Sequence, residues 1–66
     1  MADRISNSVY EYRAEKGLTQ EELAEKVGVT RQTIIAIEKG NYAPSVVLAL
    51  KLAKVLKASV EELFKI

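Results

Sequence analysis

The sequence contains no cysteine and no histidine. Without cysteine there can be neither a disulfide nor a thiolate zinc site. Without histidine the commonest metal ligand and general base is gone as well. No phosphate loop and no paired carboxylates in a pocket-forming context replace them. The chain therefore reads as no enzyme, with no metal, no cofactor and no small-molecule ligand expected. Long hydrophobic runs are also missing: the longest, Val46 to Leu50, is far too short to span a membrane. The polar start MADRISNSVYEYR is no signal peptide, so a cytoplasmic location and no membrane partner are expected. A strong charge of one sign is lacking too, the formal net charge being +1.

What is present fits one small domain spanning residues 1–66. Hydrophobic residues make up 48% and charged residues 29%, ordinary for a folded globule and unlike a disordered chain. A chain this short buries only about 60% of its unfolded surface, so an oligomer interface would help it. The small net charge hides an asymmetry. Residues 1–26 are acid-rich, whereas residues 27–58 hold Arg31, Lys39, Lys51, Lys54 and Lys57 against Glu38 alone. That excess is too small to argue for nucleic acid by itself.

The most informative stretch is Thr19 to Gly40, TQEELAEKVGVTRQTIIAIEKG. Thr19 followed by Glu22 forms a capping-box pattern, and Leu18 with Leu23 is spaced as a hydrophobic staple. Leu23 and Val27 share one helical face. Gly28 ends that helix, Thr30 caps the next, and Gly40 stops it. Ile34 and Ile37 face inward. Ala24 is small enough to let the two helices cross closely. The second helix opens with Arg31, Gln32 and Thr33 straight after its cap. In a helix-turn-helix those positions reach base edges in the major groove, where Arg and Gln make bidentate contacts to guanine and adenine. Ile35 on the outer face would suit a thymine methyl.

Flanking elements complete five helices. The first runs from Ala2 or Arg4 to Lys16, with Ile5, Val9 and Tyr12 as its buried stripe and Gly17 at its end. A loop, Gly40 to Pro44, offers Asn41 and Tyr42 as phosphate donors. The fourth helix begins near Pro44–Ser45, with Val46, Val47, Leu50, Ala53 and Leu56 expected inside and Lys51, Lys54 and Lys57 on a solvated face. Ser59 with Glu62 opens a short fifth helix.

Residues 20 to 39 resemble the helix-turn-helix of the Cro/CI phage-repressor family, or XRE-type regulators, at Leu23, Ala24, Val27, Gly28, Val29, Ile34 and Ile37. EYRAEKGLTQ before the motif, and EKGNYAPSVVLALKLAKVL with ASVEELF after it, extend the likeness from Ile5 to Phe64. The resemblance implies an all-α, compact five-helix lambda-repressor-like domain with the helix-turn-helix at helices two and three. It further implies base contacts by Arg31, Gln32 and Ala36, joined by Ile35, and DNA-backbone contacts by Gln20, Thr30, Thr33 and Lys39, joined by Asn41 and Tyr42. It implies a structural ion pair between Arg13 and Glu38, and a C-terminal dimer contact using Val60, Phe64 and Ile66. The partners would be a double-stranded DNA operator and a second copy of the chain, in a transcriptional repressor. An antitoxin or protein-interaction module on the same fold is the competing expectation. The sequence departs from the family near Lys57 and Ala58, where Gly or Asn is usual, which predicts a strained helix end.

Overall fold

Four helices begin on a hydroxyl side chain, as the sequence predicts. In the computed structural model, which describes residues 5–66, these are α2 (Gln20–Val27), α3 (Arg31–Glu38), α4 (Val46–Leu56) and α5 (Val60–Leu63). Thr19, Thr30, Ser45 and Ser59 each accept the backbone N–H three residues on. At Thr19 and Ser59 the box is reciprocal: Glu22 and Glu62 accept the cap residue's own N–H at 2.8 Å.

The first helix, α1 (Val9–Glu15), and α2, α3 and α4 all end in the same way. A residue with positive φ donates back to the last turn, and the next residue donates one carbonyl deeper. At α2 these bonds run from Gly28 to Glu25 and from Val29 to Ala24. Gly28 has φ +77°, and a Cβ built there would meet nothing within 4 Å. Glycine is needed there for its backbone angle, not for space. At α4 the left-handed position is held by Lys57, with φ 55°. The strained end predicted from the missing glycine is present.

Two expectations about the elements fail. The first helix starts at Val9, not near Arg4; the part of that expectation covering Ala2 to Arg4 lies outside the described residues. Ser6–Asn7 forms a short strand, β1, paired antiparallel with Phe64–Lys65, β2. Ser8 N–H also bonds the Leu63 carbonyl at 2.8 Å. The Asn7 side chain accepts from Val9 N–H and donates to the Ile37 carbonyl at 2.7 Å. Those bonds tie residues 6–8 to α3 and to the chain end, so they cannot also continue α1. Ile5 is consequently no part of a helical stripe.

The second failure is the buried side of α4. Leu48, Ala49, Leu52, Ala53 and Leu56 face the core, while Val46, Val47 and Leu50 are exposed. Nearly every position of VVLALKLAKVL is apolar, so two faces of the helix compete for the inside. The lysines decide it: Lys51, Lys54 and Lys57 claim one side and the opposite side packs.

The core joins Val9 of α1, Leu23, Ala24 and Val27 of α2, Ile34 and Ile37 of α3, the α4 face and Leu63 of α5. Ala24 is 2% exposed, so no side chain larger than a methyl separates its turn of α2 from its neighbours. α2 and α3 pack directly against each other, as expected of a helix-turn-helix. No helix among the described residues is long and apolar enough to cross a membrane.

Candidate nucleic-acid interface

The outward side of α3 is held in place by its inward side. Ile34 and Ile37 are fully buried. At the end of the helix, Glu38 receives Arg13 of α1 through two bonds, Nε to Oε2 at 2.7 Å and Nη2 to Oε1 at 3.2 Å. Arg13 and Glu38 side chains are only 11% and 7% exposed. The expected ion pair is therefore present and well shielded from water. Arg13 Nη1 also donates to the Leu18 carbonyl at 2.9 Å, and its guanidinium lies 5.1 Å from the centre of the Tyr10 ring. The hydrogen bond to Glu38 raises the pKa of Arg13 above its ordinary value, against desolvation, which lowers it.

Gln20 completes this cluster, a link the sequence reading missed. Its Nε2 donates to Glu38 Oε1 at 3.1 Å. One carboxylate thus joins α1, α2 and α3, and every buried polar side-chain atom described has a partner. Gln20 was expected at a phosphate; in the structure one N–H of its amide is already engaged with Glu38.

The predicted DNA-facing residues fall into three groups. Gln32, Thr33, Ala36, Asn41 and Tyr42 line one shallow cleft between α3 and the loop after it. Arg31 and Gln32 also border a second depression, with Glu21 and Glu25 of α2 and with Thr30. The carboxylates there make that side of Arg31 unfavourable for phosphate and leave its free approach over the start of α3. Lys39 stands apart, beside Ser6, Asn7 and Gly40.

Arg31 and Gln32 are exposed, as base-reading residues must be. Ile35 is half-buried rather than openly exposed, so part of its apolar surface is already covered inside the chain. Ala36 is half-buried too. The Thr30 hydroxyl caps α3 through Thr33 N–H at 3.3 Å and lies 3.1 Å from the Thr33 hydroxyl. Of the residues assigned to a dimer contact, Val60 and Phe64 are half-buried against their own core, with Phe64 in β2 rather than in a helix. Ile66 is 89% exposed.

Comparison with known proteins agrees with this geometry. The helix-turn-helix family profile matches residues 9–63. The chain is 60% identical over 57 residues to an uncharacterized HTH-type transcriptional regulator of Methanothermobacter thermautotrophicus, covering 85% of this chain and 83% of that one. It is 38% identical over 59 residues to the cryptic phage CTXphi transcriptional repressor RstR of Vibrio cholerae, covering 89% of this chain and 53% of RstR. Among solved structures it is similar to SinR of Bacillus subtilis, a master regulator for biofilm formation crystallised in complex with DNA. That match has a TM-score of 0.73 at 40% identity and covers 79% of this chain and 84% of that one.

Proposed function

Because the chain belongs to the helix-turn-helix family of Cro/CI-like, XRE-type transcriptional regulators, we propose that it is a homodimeric repressor that reads a palindromic DNA operator. Regulators of this family bind DNA and are not enzymes. One observation carries the finer reading. Arg31 and Gln32 open α3 as exposed side chains, while the back of the same helix is buried and locked through Glu38 to two other helices. A helix held in this way presents its first turn with little freedom to lose on docking.

In this reading residues 1–66 act as a single DNA-binding domain in the cytoplasm. Arg31 contacts a guanine edge and Gln32 an adenine edge, while Ile35 and Ala36 pack on neighbouring bases. Thr33, Asn41 and Tyr42, clustered around one cleft, set the register on phosphates. Gln20, Thr30 and Lys39 extend those backbone contacts. Repression would follow from occupancy of the operator, controlled by protein concentration, by a partner protein or by competition for the operator.

Selection of bound duplexes from a random pool tests the proposal. The expected product is a two-fold-symmetric motif with half-sites about one helical turn, roughly 34 Å, apart. Recovery of no motif by folded protein would sink the DNA reading and favour a protein-interaction module.

A further inference from the structure

From β1, the Asn7 side chain reaches across to the last turn of α3. Its Nδ2 donates to the Ile37 carbonyl at 2.7 Å, while its Oδ1 accepts from Val9 N–H at 3.2 Å. One partner is an acceptor and the other a donor, so the site calls for a side chain that can do both, and an amide does. Ser8 stands at the cap position of α1 but makes no side-chain cap bond; Asn7, one residue earlier, supplies a bond to the first turn in its place. The Ile37 carbonyl also accepts Gly40 N–H at 2.9 Å. Asn7 therefore starts one helix and ends another. We propose, resting on the DNA reading above, that Asn7 is a positioning residue for base reading: it holds the end of α3 in the tilt that Arg31 and Gln32 need at the beginning.

The lever is short, so small rotations matter. Arg31 stands about 9 Å along the helix axis from Ile37. A tilt of about ten degrees at Ile37 would displace Arg31 by roughly 1.5 Å, whereas binding groups must be held within about 0.5 Å of their working positions. Arg13 and Asn7 lie towards opposite ends of α1 and hold consecutive residues of α3, Glu38 and Ile37. One such tie leaves a pivot; two, separated by most of the length of α1, remove it.

Asn7 is itself anchored. β1 pairs with β2, which places Asn7 opposite Phe64, and Ser8 N–H bonds the Leu63 carbonyl just beyond. The support under α3 thus runs through Asn7 to the far end of the chain. Asn7 also borders the depression that holds Lys39 and the one that holds Asn41 and Tyr42. The residue that ties down α3 therefore adjoins three of the side chains assigned to phosphate.

Two variants of the full chain test this. Asn7→Ser keeps an acceptor for Val9 N–H but is too short for Ile37, and Asn7→Asp keeps the length but has no N–H to give. Ser59→Ala, which loses the cap of α5, is the comparison for a stability loss elsewhere. Circular dichroism melts confirm folding of each. The readout is the ratio of affinities for the selected duplex and a random one. It should fall at least about fivefold in both Asn7 variants, the lower end of what one bidentate base contact is worth, and stay at the wild-type value in Ser59→Ala. In a chain already carrying Arg31→Ala and Gln32→Ala, Asn7→Ser should change the ratio less than about twofold, because no first-turn base contact is left to position. Residual dipolar couplings of backbone amides read the tilt of α3 against α2 and α4 without DNA, and that tilt should shift in Asn7→Ser and not in Ser59→Ala. A wild-type ratio in both Asn7 variants would overturn the proposal. So would a full loss in the Arg31, Gln32 background, or an α3 that does not move. Failure of the duplex selection would sink the DNA reading and the base-reading role with it, yet the couplings would still decide whether Asn7 sets the tilt of α3.

Discussion

Glu38 is the single side chain on which the orientation of α3 most depends. It accepts three hydrogen bonds, from Arg13 twice and from Gln20. A nearly buried ion pair adds little net stability when compared with apolar residues of the same size, but breaking one leaves a desolvated charge at a cost of about 3–5 kcal/mol. A domain of this size has only about 3–10 kcal/mol in total. Glu38→Ala should therefore leave the chain largely unfolded or barely stable in a urea titration, and Arg13→Met with Glu38→Met together should recover much of the loss. A cost under about 1 kcal/mol for Glu38→Ala would mean the pair behaves as a surface one. The pair was legible in the sequence only through family likeness; the Gln20 bond was not legible at all, since nothing local to Gln20 points to a residue eighteen positions on. Arg31 is the opposite case, exposed, with a side chain that makes no hydrogen bond among the described residues. Arg31→Ala should leave stability intact and weaken binding to the selected duplex by about 1–3 kcal/mol, with a much smaller loss on random DNA. Equal losses on both would make Arg31 a phosphate contact.

At the scale of elements, helix ends are the most predictable feature. Three helices end on a glycine with positive φ, and α4 ends on Lys57 in the same conformation. A non-glycine residue there costs roughly 1–2 kcal/mol, partly offset by the greater freedom of glycine in the unfolded chain. Lys57→Gly should stabilise the fold by about 0.5–1 kcal/mol, raising the melting temperature by a few degrees; an unchanged or lower value would refute the strain. The helix starts carry a pH dependence. Glu22 and Glu62 accept the Thr19 and Ser59 N–H groups, which hold both carboxyls below their ordinary value of 4.5. Since the folded pKa lies below the unfolded one, the unfolded chain binds more protons in acid. The stabilisation is complete above pH 4.5 and is lost as pH falls through the lowered folded values. Glu22→Gln with Glu62→Gln keeps the acceptors but removes the titration, so urea midpoints at pH 7 and pH 3 should differ less in the double variant than in the wild type. Equal losses would place the acid sensitivity elsewhere.

For the whole molecule, the net charge of +1 and the acidic α2 limit the electrostatic grip on DNA. Among the residues assigned to phosphate, Lys39 is the one cation; the others are neutral donors. The logarithm of affinity against the logarithm of salt should therefore fall with a shallow slope, between about −2 and −4 per dimer. A slope near −10 would mean that Lys51, Lys54 and Lys57 sit on the backbone as well, which would contradict a solvated α4 face. A weak electrostatic term also makes the second half-site more important, because specific contacts and dimer geometry must then supply most of the discrimination.

Features that depend on a few neighbouring residues were determined by the sequence alone. The caps at Thr19, Thr30, Ser45 and Ser59, the ends at Gly17, Gly28 and Gly40 and the strained end at Lys57 all follow from contacts within one turn or from the 3.6-residue period. The tertiary structure decided the rest. Ser6 and Asn7 leave the helical pattern because their partners, Lys65 and Phe64, lie at the far end of the chain. Gln20 turns to Glu38 because α3 folds back over α2. At α4 the lysine spacing already marks the outer side, but with nine of its eleven residues apolar only packing against the other helices shows that Val46, Val47 and Leu50 stay out with the lysines, because periodicity acts over a turn or two of helix, whereas packing acts between residues that only the folded chain brings together.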